Sequence, residues 1–181
     1  MATAPPLLSI EEYLHTGYKP DVDFVDGEIE ERNVGEYSHS TIQGLIYLLF
    51  ALHEDSWKTD AVIEQRIRIV SNRVRVCDVA VLRADAPHEE VATTPPLICI
   101  EILSPEDRQP RATHVLADYF AMGVPNIWLI DPIKRTAYTY GVTGLQPAGD
   151  NGLSVPGTSI AIDLGDLFAR LDKKIRQHKS L

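Results

Sequence analysis

Two apolar runs each carry one acid, and the need to shelter those acids constrains the fold more than any other feature. RVRVCDVAVLR (73–83) holds Asp78 and PPLICIEIL (95–103) holds Glu101, both surrounded by Val, Ile, Leu or Cys. Each run has the length and β-branched content of a strand. An ionised carboxylate among such side chains is costly unless hydrogen bonds, a cation or a metal compensates it. Neighbouring strands lie ~5 Å apart, so two acids on one face can share a hard cation such as magnesium. The plainer alternative puts them at strand ends, solvated or paired with arginine. For an acid taken singly that is the commoner case; the pair in consecutive strands favours the metal.

The run AVIEQRIRIV (61–70) alternates with period two and joins 73–83 through Ser71-Asn72, a plausible two-residue turn. Regular pairing from Val70 and Arg73 sets Ile67 opposite Val76 and Gln65 opposite Asp78. One face then carries Ile63, Ile67, Ile69, Val74, Val76 and Ala80, and the other Arg66, Arg68, Arg73 and Arg75. A slip of one residue would set Glu64 opposite Asp78 instead, so both Gln65 and Glu64 are candidates.

The remaining elements follow from local signals. Ser9 and Glu12 have capping-box spacing for a short helix, and Asp26-Gly27 marks a hairpin. Ile42, Leu45, Ile46, Leu49 and Leu52 form the stripe of a core helix over 40–53. After 95–103, where Leu97, Cys99, Glu101 and Leu103 share a face, come a loop, a helix over 111–122 stopped by Gly123, and the strand NIWLID. Strand, helix and strand predict a right-handed βαβ crossover. RTAYTYG is a further strand, 142–158 is loop-rich, and the tail is a helix capped by Asp163. The expected fold class is α/β, a mixed central sheet flanked by helices, in a single domain over 1–181.

A net charge of -9 argues against a surface that embraces nucleic acid all round, so any phosphate contact is local. No stretch approaches the ~20 apolar residues of a bilayer span, and the start lacks the basic head and apolar run of a secretory signal, which makes the cytoplasm the expected location. Cys77 and Cys99 have no zinc spacing and read as reduced core residues. Phosphate-loop, nucleophile-elbow, dinucleotide and His-Glu-x-x-His signatures are absent from the sequence.

Four strings, FVDGEIEERNVGEYSHSTIQ, VCDVAVLR, PPLICIEILSPEDR and ADYFAMGVPNIWLIDP, resemble the Uma-type family of restriction-endonuclease-like bacterial proteins with the PD-(D/E)XK nuclease fold, over most of residues 8–141. The resemblance implies a restriction-endonuclease-like core, a metal site at Asp78 and Glu101 for Mg2+ or Mn2+, and hydrolysis of phosphodiester bonds in nucleic acid, with DNA the expected substrate. Cys77 stands where the motif has proline. The motif lysine is missing: the position two beyond Glu101 is Leu103, and the alternative position, four before Tyr119, is Val115.

Arg111 and His114 are the candidates for the missing charge. Arginine can clamp a phosphate but is a poor proton carrier, whereas histidine titrates near neutrality. His39, at the start of the core helix, is a further candidate, with Glu28 and Glu36 behind it. The four arginines of the hairpin form a basic strip directed away from Asp78, suited to phosphate, solvent or another subunit. A homodimer is the usual arrangement for cutting two strands. The competing reading is an inactive nuclease fold serving as a binding or dimeric scaffold, which the lost lysines and the acidic balance favour.

Overall fold

The computed structural model describes residues 7–32, 36–104, 109–149 and 152–179. Chain order is α1 (Ile10–Leu14), β1 (Asp23–Val25), β2 (Glu28–Glu30), α2 (Tyr37–Trp57), β3 (Thr59–Val70), β4 (Arg73–Arg83), β5 (Ile98–Ile102), α3 (Gln109–Met122), β6 (Asn126–Asp131), β7 (Thr136–Gly141), β8 (Gly144–Pro147), β9 (Leu153–Ser154), β10 (Ala161–Ile162) and α4 (Leu164–Lys179). The loop expected before α3 lies partly outside the described residues, at 105–108.

Eight strands form one mixed sheet in the order β2-β1-β4-β5-β6-β7-β8, with β3 paired to β4; β9 and β10 form a separate ribbon. β5 and β6 are parallel and joined through α3, the expected crossover. β3 follows one edge of β4 along its length. The other edge is divided: β1 takes Arg73 and Val74, and β5 takes Val79, Ala80 and Val81. Between them, no described strand pairs with residues 75–78 on that edge, and side chains take over the hydrogen bonding there. Val76 N–H donates to Asp23 Oδ1 at 2.9 Å, and Ile102 N–H, on β5, donates to Asp78 Oδ2 at 2.8 Å. The sheet is forked here, and Asp78 sits in the fork.

Strand alternation divides the core. Ile98, Ile100 and Ile102 of β5 and Trp128 and Ile130 of β6 pack with Ile42, Ile46 and Phe50 of α2 and Leu167, Phe168 and Leu171 of α4. Cys99, Ile127 and Leu129 point the other way, onto Ala112, Val115, Leu116 and Tyr119 of α3. Leu97, expected with Cys99, joins the α2 side because it precedes the strand. Burying each large side chain of this kind stabilises by about 1.5–3 kcal/mol. A third cluster, Tyr13, Val22, Phe24 and Val74, seats α1 on β1 and β4.

Local signals hold where short-range chemistry decides. Ser9 and Glu12 form the full capping box, Asp26 and Gly27 turn the β1–β2 hairpin at positive φ, and Asp163 Oδ1 accepts from Asp166 N–H at the start of α4. Gly123 ends α3 at φ 94°, the left-handed region that glycine enters without a Cβ penalty.

Candidate active site at the fork of the sheet

The β3–β4 pairing decides which side chain accompanies Asp78. Val70 lies opposite Arg73 as expected, but Arg68 then pairs with Val74, leaving Ile69 without a partner on β4. After this bulge Ile67 faces Arg75, Gln65 faces Cys77 and Ile63 faces Val79. Glu64 therefore falls opposite Asp78, and the expectation of Gln65 there is corrected. The Gln65 amide donates to Arg66 O and Glu90 O, both at 3.1 Å. Glu64 adopts φ 54°, a left-handed conformation that costs a residue with a Cβ about 1–3 kcal/mol.

The same bulge dissolves the basic strip. Residues directly opposite share a face, so Arg75 sides with Ile67 and Arg66 with Val76. Each of three arginines meets acid: Arg66 pairs with Asp21, Arg73 with Asp26 and Asp118, and Arg75 with Asp23, Glu30 and Asp118. Arg68 donates to Ser71 O.

Asp78 is 2 % exposed and well supplied with donors. Its Oδ1 accepts from Arg32 Nη2 at 2.6 Å; Oδ2 accepts from Ile102 N–H and lies 3.2 Å from His39 Nε2. The second arm of Arg32 donates to Glu64 Oε2 at 2.5 Å, so one buried guanidinium bridges the two carboxylates. Gln43 Nε2 donates to Glu64 Oε1 at 2.7 Å and to Asp78 O at 3.0 Å. His39 and Gln43 are four residues apart on α2, which stacks them on one helix face beside Ile42 and Ile46. Across the fork, Glu101 Oε1 accepts from the Tyr119 hydroxyl of α3 at 2.7 Å.

The electrostatics follow from this crowding. Burial disfavours the charged form of Arg32, but Asp78, Glu101 and Glu64 outweigh it and raise its pKa, so the guanidinium stays charged. Burial likewise opposes charge on His39, and the hydrogen bond and negative charge of Asp78, with Glu64 behind it, raise its pKa overall. Glu101 is pushed well above the usual carboxylate range, first by burial and then by the charge of Asp78.

The other candidates lie elsewhere. Arg111, half-buried, donates to Asp23 Oδ2 at 2.9 Å, beside Arg75 at 3.0 Å from the same oxygen. His114 and Glu28 are exposed, and Glu36 precedes α2 without a side-chain capping bond. Leu103 and Val115 pack with the α3-side core. Sequence reasoning missed Arg32, Gln43 and Tyr119 as site residues. Only the His39–Gln43 spacing carried a signal, two polar side chains one turn apart on an apolar helix.

The family model described as "Uma2: Putative restriction endonuclease" matches residues 10–157, a span that contains every side chain of this site. The chain belongs to the Uma2 family. A crystal structure from Anabaena variabilis, described as a putative nuclease belonging to DUF820, is similar to this Uma2 chain with a TM-score of 0.77 and 22% identity, covering 91% of this chain and 99% of that one. The two share one fold, the mixed sheet flanked by helices expected from the sequence. No curated protein matches.

The endonuclease resemblance implies a divalent cation at the Uma2 site. The donor chemistry suits one: Glu64, Asp78 and Glu101 offer carboxylate oxygens, the donors that magnesium and manganese prefer. The repulsion that Asp78 exerts on Glu101 is what a cation would relieve. In the arrangement observed, Arg32 engages Glu64 and Asp78, and no three His, Cys, Asp or Glu side chains among the described residues are grouped to hold a metal. Also among the described residues, no helix is long and apolar enough to cross a membrane.

Proposed function

We propose that this Uma2 protein is a metal-dependent nuclease that hydrolyses phosphodiester bonds in DNA, with Asp78 and Glu101 holding Mg2+ or Mn2+ and Glu64 beside them. The observation that carries this reading is the pair of acids Asp78 and Glu64 bridged at a fork in the sheet of an endonuclease-family chain, with Glu101 near enough for the charge of Asp78 to act on it. A divalent ion bound there supplies an activated water and neutralises charge developing on the phosphate. The chain's own residues do the positioning. Ile102 N–H and His39 fix the Asp78 carboxylate, Gln43 fixes Glu64, and Tyr119 aims Glu101. Such fixed orientation of acidic groups is what a reaction at phosphorus requires of a protein.

DNA as substrate, a cytoplasmic location, a homodimer that cuts both strands and a single folding unit over 1–181 belong to the same proposal. The test is incubation of wild type and the Asp78→Ala, Glu101→Ala double variant with plasmid and single-stranded DNA, with and without Mn2+. Metal-dependent cleavage by wild type, lost in the folded double variant, is the expected result. Absence of cleavage by wild type, or equal cleavage by both, removes the reading.

A second reading has its own support. Both lysine positions are apolar and packed, at Leu103 and Val115, and Asp78 is already paired with Arg32. An inactive scaffold of the same fold would bind DNA in EDTA and leave it uncut when Mn2+ is added, which a gel-shift assay followed by metal addition distinguishes.

A further inference from the structure

We infer that Arg32 is the site's resident cation in the metal-free protein, and that a divalent ion binds by taking Asp78 and Glu64 from it. The inference rests on the metal reading of the site and adds a competition that this reading does not require. Three observations carry it. The guanidinium is inserted between the two carboxylates rather than beside them, at 2.6 Å from Asp78 Oδ1 and 2.5 Å from Glu64 Oε2. Its side chain is 5% exposed, so it is committed to these acids and not shared with solvent. The remaining oxygens of the same carboxylates already accept from Ile102 N–H and Gln43, with His39 nearby, so the oxygens facing Arg32 are those a metal would need.

Arginine fits this role because its planar fork matches two carboxylates and never loses its proton. Occupying the same oxygens, guanidinium and metal are negatively linked, and the linkage acts equally in both directions. Arg32 thereby solves the problem posed by buried acids without making the site permanent: it neutralises them until an ion of higher charge arrives.

The experiment is calorimetric titration of Mn2+ into wild type and Arg32→Met, which keeps the side chain's length and removes its charge. The expected result is tighter binding by the variant, by about 5–150-fold for a coupling of ordinary size. Equal or weaker binding by Arg32→Met overturns the inference and leaves the metal site intact; no binding by either protein overturns the metal reading itself. Should Arg32→Met not fold, the wild type supplies the test through the nitrogen-bound proton resonances of the Arg32 guanidinium, identified by their loss in Arg32→Lys. Saturating Mg2+ is expected to shift them and speed their exchange with solvent. Resonances unmoved while Mg2+ is bound overturn the inference.

Discussion

Arg75 and Arg32 are both buried guanidinium groups held by carboxylates, yet their surroundings differ in balance. Around Arg75, the guanidinium groups of Arg73, Arg75 and Arg111 meet Asp23, Glu30 and Asp118, and Arg73 also reaches the exposed Asp26, so three cations nearly balance four acids. Arg32 meets Glu64 and Asp78 directly and feels Glu101 as a third acid, with His39 as its only partial helper among the described residues. The balanced network ties β1, β2 and α3 to β4 and requires nothing more. Burial raises the pKa of Asp23 in the first network, where Arg75 and Arg111 pull it back, but lifts Glu101 well above the usual range in the second, where Asp78 adds to it; the second also raises His39 and contains a left-handed Glu64. Burial of charge alone does not mark a site; burial with surplus charge of one sign does.

The sharpest way to break this contrast is to remove an acid from the balanced side. Asp23→Ala deprives Arg75, Arg111 and the Val76 N–H of a shared acceptor, and is expected to cost about 3–5 kcal/mol in urea unfolding. A loss below about 1 kcal/mol would mean that the two networks do not differ as described.

On the acid-rich side, removing a charge is expected to help. Glu101→Gln keeps an oxygen for the Tyr119 hydroxyl and removes the charge that burial and Asp78 oppose. Because the folded-state pKa of Glu101 is raised, wild type loses stability as pH climbs from the unfolded value of about 4.3 through the folded one. In EDTA the variant is therefore more stable by about 1 kcal/mol at neutral pH, with no difference near pH 4. Destabilisation at neutral pH would show that Glu101 is not burdened by its surroundings.

His39 gives a smaller effect of defined sign. Its folded pKa is raised, so its link to Asp78 stabilises fully below about pH 6.5 and fades as pH rises through the folded value. His39→Gln should lower the melting temperature more at pH 5.5 than at pH 9. The smallest effect belongs to Gln65→Ala, expected within about 0.5 kcal/mol and without influence on cleavage, since its amide contacts only backbone carbonyls. A large loss of activity there would restore Gln65 to the site.

Elements governed by neighbours in sequence were legible beforehand. The Ser9–Glu12 box, the apolar stripe of α2 up to Leu49, the βαβ unit and the Asp163 cap each depend on contacts within a few residues or on periodicity, whereas Leu52, expected in that stripe, is exposed and Phe50 is buried in its stead. The two acids announced themselves because strands tolerate few unpaired charges. Arg32 gave no such sign: it lies in EIEERN, a polar stretch where one more arginine reads as surface, and its partners are 32 and 46 residues away. Glu64 against Gln65 was a choice between neighbours, resolved by a bulge that alternation does not encode. Gln43 and Tyr119 are polar groups on otherwise apolar helix faces, and only the sheet shows what they reach for.

Ile69 has one further consequence. Because Val70 pairs with Arg73 and Arg68 with Val74, the hairpin holds one residue more than its ladder counts. Removing Ile69 would leave both pairs, and everything before them, in step. Removing a residue between 65 and 68 would keep Glu64 at Asp78 only by closing the bulge, with Ile69 re-paired to Val74. The strand can thus change length at a single point without altering the chemistry at its far end, a freedom by which relatives could differ in hairpin length yet keep an acid facing Asp78.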